Sequence, residues 1–138
     1  MESSRSYASW DDALRMICTE YLGQPLIWGI RDCCQFAATY VHARTGIDHS
    51  VDFNYDGKMG AARILAEHDG IQNLISKYLG EPKRDSSPGD LVLCNLAVAM
   101  DESVQTLGVT NGSFVWGIHP DDGLVRIPLG SIAAAWSV

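Results

Sequence analysis

The sequence predicts an α+β fold, with helices first and an antiparallel sheet second. Three observations carry this. Apolar residues recur at helical spacing as far as Gly80; short apolar segments broken by glycine and asparagine follow Asp90; the polar stretch "EPKRDSSPGD" separates the two halves. The chain of 138 residues is the right size for one domain, with a helical half over about 9–80 and a β half over about 90–138.

Ser9 predicts an N-cap for the first helix, with Asp11 and Asp12 in the first turn, where the helix dipole favours negative charge. Leu14, Ile17, Cys18, Tyr21 and Leu22 continue it at helical spacing, and Gly23 ends it before Pro25. An extended piece over Leu26–Trp28 leads to a turn at Gly29, and Asp32 caps a second helix over Cys33–Thr45 that stops at Gly46. Cys33, Phe36, Ala37, Tyr40 and Val41 form its apolar stripe; Gln35, Thr39 and His42 lie on its polar face. Shorter helices are expected over Met59–His68 and Ile71–Leu79, parted by Asp69-Gly70. Strands are expected at Leu91–Cys94, Thr106–Thr110, Phe114–Trp116 and Leu124–Ile127, with a hairpin at Asn111-Gly112 and a closing helical turn over Ile132–Trp136.

Composition removes several function classes. With 17 acidic against 10 basic residues the net charge is −7, and no Lys/Arg run is longer than Lys83-Arg84, which argues against a nucleic-acid partner. The longest apolar run, "NLAVAM", is too short to span a bilayer, and "MESSRSYASWDD" lacks the pattern of a signal peptide, so synthesis in the cytoplasm is expected. The four cysteines have no CxxC spacing. That points to free thiols and to no metal site or cofactor, with Cys18, Cys34 and Cys94 as packed thiols. Asp121-Asp122-Gly123 reads as a turn, because no further carboxylates follow at calcium-ligand spacing. Trp10, Trp28, Trp116 and Trp136 read as core and interface anchors, and Asp90 as the residue that sets the turn into its strand.

The chemistry-bearing feature is "RDCC", which puts a thiol at a helix start. There the dipole and free backbone N–H groups stabilise a thiolate and can hold an oxyanion. Four pieces in order, "GQPLIWG", "DCCQF", "SPGDLVL" and "TLGVTNGSFVW", resemble the NlpC-type branch of the papain-like cysteine peptidases, which cut the peptide stems of bacterial cell walls. The family pattern runs Gly-x-Pro-Tyr-x-Trp-Gly-Gly, Asp-Cys-Ser-Gly, Pro-Gly-Asp-Leu, His-Val-Gly-Ile and a later polar residue. The resemblance covers about residues 23–116, and small bacteriophage tail proteins of the same kind share an ending like "GLVRIPLGSIAAAW". It implies a papain-like fold, with Cys33 in the nucleophile's place and Asp32 in that of the preceding aspartate.

The catalytic partners depart from the pattern. Thr106 stands where the family has its histidine, Trp116 at the third polar position, and Leu26 where the oxyanion-site tyrosine belongs. A threonine hydroxyl cannot take a proton at neutral pH, and an indole only donates. Ile30 replaces the second glycine, and Cys34-Gln35 replaces Ser-Gly.

Four histidines could substitute for the base. His42 is about 13 Å along the helix from Cys33 and on its polar face, which rules it out. His68 ends a helix on a polar edge and reads as solvated, while His49 has no assigned place. His119, after the strand nearest the cleft, is the only rescue candidate, weighed against a plain turn residue beside Pro120.

The expectation is therefore a bacteriophage tail or tail-assembly protein on a peptidase scaffold without its peptidase site, located in the virion and packed against other tail proteins. The alternative is an active cell-wall cysteine peptidase pairing Cys33 with His119 or a partner-supplied base, with peptidoglycan as its substrate. A generic binding module on the same scaffold is the third reading.

Overall fold

A computed structural model describes residues 7–52, 55–97 and 103–138. Four α-helices precede a five-stranded antiparallel sheet: α1 (Trp10–Tyr21), α2 (Cys33–Thr45), α3 (Gly57–Glu67) and α4 (Ile71–Leu79), then β1 (Leu91–Ala97), β2 (Ser103–Thr110), β3 (Val115–His119), β4 (Gly123–Ile127) and β5 (Ile132–Trp136). Single turns of 3-10 helix lie at His49–Asp52 and Leu129–Ser131.

The helix ends follow their capping chemistry. The Ser9 hydroxyl accepts from the Asp12 N–H, the Asp32 carboxylate accepts from the Gln35 N–H, and Gly46 closes α2 in the left-handed conformation at φ 81°. Asn111 organises the β2–β3 hairpin, its Oδ1 accepting the N–H groups of Ser113 and Phe114, so the connection is a four-residue loop.

The sheet order is β4-β3-β2-β1-β5. Its register sorts side chains cleanly between two faces. Leu91, Leu93, Leu107, Val109, Ile118, Ala134 and Trp136 join Leu14, Ile17, Phe36, Ala37 and Tyr40 in the main core. The alternate residues Val92, Cys94, Val115, Ile127 and Ala135 form a second buried cluster on the other face. Helices therefore cover one face, with α2 lying against β2.

One element differs in kind from the sequence reading. Ile132–Trp136 is not a helical turn but β5, paired antiparallel with β1 from Leu91↔Trp136 to Cys94↔Ile132. The alanine-rich run has good helix propensity. Pairing with the free edge of β1 overrides it by satisfying both backbones while burying Ala134 and Trp136 on one face and Ala135 on the other. Strand β3 also runs on through His119, and α3 begins two residues earlier than Met59.

Burial pushes the Cys94 thiol up to about 12 and the Cys18 thiol up to about 11, well above an unfolded thiol. Both folded values are raised, so the stabilisation is complete below the unfolded pKa of about 8.5 and is lost as pH climbs towards the folded values. The denaturant midpoint should therefore fall between about pH 9 and 11, and fall less in Cys94→Val. Equal slopes for the two proteins would show that Cys94 does not contribute.

Candidate functional site

The site is built around the turn that starts α2. Asp32 is 1% exposed, and its carboxylate collects three donors: the Gln35 N–H on Oδ1 at 2.9 Å, the Gly29 N–H on Oδ2 at 2.8 Å, and the Tyr55 hydroxyl on Oδ2 in a short hydrogen bond. Gly29 holds φ 87°, and a Cβ there would collide with the Tyr55 carbonyl oxygen. Burial first, and then the bond to Asp32, push the Tyr55 hydroxyl pKa upwards, so it stays a donor. Residues 27–32, Tyr55 and the first turn of α2 thus form one hydrogen-bonded unit that fixes where Cys33 points.

Cys33 is half-buried and opens onto a cleft of about 130 Å³. Leu26, Trp28, Ile118 and Pro120 supply apolar walls; Lys58, Gln105 and Thr106 supply the polar groups beside the thiol. A smaller cavity of about 70 Å³ lies behind it and is shared by Cys33, Cys34, Asp32 and Tyr55. The Cys33 thiol ionises more readily than an ordinary one. The chief cause is a hydrogen bond from the Cys34 thiol, helped by the Leu107 backbone N–H, and opposed by burial and the Asp32 charge. Cys34 moves the opposite way, raised by that same bond and by burial. In this pair Cys33 is the more acidic thiol, and Cys34 is the one that holds its proton.

Thr106 sits beside the thiol, but its hydroxyl donates to the Ile118 carbonyl at 2.7 Å. A hydroxyl has one proton, so Thr106 is occupied with joining β2 to β3. The described residues lining the cleft include no histidine and no carboxylate.

His119 is the last residue of β3, and its neighbours Ile118 and Pro120 line the cleft while it does not. Its Nδ1 accepts the N–H groups of Asp121 at 3.0 Å and Asp122 at 3.3 Å. Its Nδ1 lone pair is engaged by those two N–H groups of its own turn and is not directed to the thiol.

Trp116 lies in a separate groove with Trp10, Leu14 and Cys18, and its ring stacks at 5.4 Å on the Arg126 guanidinium. Leu26 forms a cleft wall. The cleft therefore gathers Leu26, Cys33 and Thr106, and it gathers neither Trp116 nor His119. His42 is exposed on α2, and the His49 ring rests 4.8 Å from Tyr78. His68 is not simply solvated: it is half-buried, with Nδ1 at 2.9 Å from the Ile64 carbonyl, because the helix end leaves that oxygen free.

Tyr55 escaped the sequence reading. Its one signal was indirect, since a carboxylate buried beside a helix start needs donors beyond the cap. The "SPGD" piece is structural: Asp90 Oδ2 accepts the Ser87 N–H at 2.6 Å and pairs with Lys83 Nζ at 2.8 Å, while the Gly89 carbonyl accepts the Tyr40 hydroxyl at 2.6 Å. Among the described residues no cluster of three or more His, Cys, Asp or Glu is arranged to hold a metal ion, and no helix is long and apolar enough to cross a membrane.

Fold and site together define an α+β protein with a helix-start thiol set in a small cleft. The chain belongs to the family described as a domain of unknown function (DUF6950), whose model matches residues 5–138. No curated protein and no solved structure matches it.

Proposed function

We propose that this protein is a structural component of a bacteriophage tail, built on an NlpC-like, papain-type scaffold whose peptidase site no longer works. The observation that carries the loss of activity is the state of the two groups nearest to a base. The Thr106 hydroxyl is spent on the Ile118 carbonyl, and His119 is committed through Nδ1 to its own turn. Amide cleavage needs a group that gives a proton to the leaving amine, and neither supplies one. The tail assignment, the virion location and the partnership with other tail proteins rest on the sequence resemblance, including the shared ending "GLVRIPLGSIAAAW".

The purified protein should release no peptide from peptidoglycan, and Cys33→Ala should leave particle assembly unchanged. Hydrolysis that disappears in Cys33→Ala would overturn this reading. A second reading, an active peptidase completed by a base from a partner chain, is favoured by the ease with which the Cys33 thiol ionises. Cys33-dependent hydrolysis that appears only when the partner is added would establish it.

A further inference from the structure

A nucleophile without an acid or a base is not chemically idle. Attack on an amide fails because the amine must be protonated as it leaves. Attack on a disulfide has no such need, since the departing thiolate is stable in water. The requirements are a thiol at a helix N-terminus that ionises more readily than an ordinary one, an opening onto a cleft, and room for one arm of the disulfide.

All three are present. Cys33 is the first residue of α2, flanked by the Cys34 thiol and the Leu107 N–H, and it faces a solvent-open cleft of about 130 Å³. The walls Leu26, Trp28 and Ile118 suit a short methylene arm. Lys58, in the first turn of α3, is the cation among the described lining residues, and with no carboxylate among them it favours an arm ending in negative charge.

We propose that Cys33 is a thiolation site for small anionic disulfides. Cys33 loses its proton to solvent, and the thiolate attacks one sulfur of the disulfide. A Cys33 S–S bond forms as the original S–S bond breaks, and the other half leaves as a thiolate carrying the electron pair. Cys33 is oxidised and the leaving half is reduced. Cys34 stays a thiol; it is the hydrogen-bond donor that stabilises the attacking sulfur, and its burial shields it from the incoming disulfide.

The test uses two disulfides of nearly equal size, anionic dithiodiglycolate and neutral hydroxyethyl disulfide, with the full chain and with each rate referred to that of a short cysteine peptide. Mass spectrometry should place the adduct on Cys33, formed at least about tenfold faster than on Cys18, Cys34 or Cys94. Cys34→Ala should slow Cys33 thiolation several-fold, and Cys34→Ser, which keeps a donor, should restore part of the rate. Lys58→Gln, at an exposed position, should slow dithiodiglycolate about threefold or more and leave hydroxyethyl disulfide unchanged.

Modification of Cys33 no faster than that of Cys18 would overturn the proposal. So would equal slowing of both probes in Lys58→Gln. His119→Ala should change nothing, whereas a peptidase built on a Cys33–His119 pair would lose its reactivity. Hydrolysis of cell-wall peptide would count against the tail-scaffold reading without touching this one.

Discussion

Asp32→Ala should lower the stability by about 3–5 kcal/mol, combining a lost N-cap with donors left unpaired around it. For a chain of this length that corresponds to a fall of roughly 10–15 °C in Tm, measurable by calorimetry. The size follows from position: the carboxylate is 1% exposed and accepts from Gln35, Gly29 and Tyr55 at once. Asp32→Asn should cost roughly half as much, because its amide oxygen still accepts while its NH₂ meets a donor. Tyr55→Phe should be costly in the parent but nearly free in Asp32→Ala, since the same bond is removed either way. Full additivity of the two changes would show that the hydroxyl and the carboxylate are not coupled.

Trp136→Ala should cost about 3–5 kcal/mol, the range for emptying a buried aromatic site. The ring is 1% exposed in the main core, and its Nε1–H donates to the Gly80 carbonyl at 3.0 Å. Trp136→Phe keeps much of the packing and drops the hydrogen bond, so a loss of about 1–2 kcal/mol is expected. If residues 132–136 were a surface turn, the alanine variant would melt within a degree or two of the parent. That outcome would contradict β5 and its ladder to β1.

The contrast between these two residues shows what could be read from the chain alone. Asp32 was legible because a helix cap is local: an acidic residue three positions before a free N–H, ahead of an apolar stripe, is enough. Ser9, Gly46, Asp69-Gly70 and the Asn111 hairpin were legible for the same reason. Trp136 was not, because its segment becomes a strand only through residues 38 to 45 positions earlier, which leave an edge to be paired. Tyr55 was hidden likewise: its partner is 23 residues away and no periodicity joins them. At the site, Leu26, Cys33 and Thr106, which the resemblance sets at family site positions, line one cleft. Sequence order could not reveal that Thr106 gives its proton to Ile118 or that His119 turns back on its own loop, because side-chain hydrogen bonds depend on geometry that spacing does not encode.

The strand order has a kinetic side. β1 through β4 follow one another as neighbours, so three of the sheet's pairings close short loops. The fourth, β1 with β5, must bring together residues separated by the whole meander. Loop-closure entropy rises with that separation, and contacts of high sequence distance slow folding. A chain that has formed its hairpins still carries an unpaired β1 edge and an exposed Leu91–Leu93 face until the last strand arrives. During that interval, another chain's strand can add to the open edge as readily as β5 does, which makes the late docking of Ile132–Trp136 the step at which folding competes with aggregation.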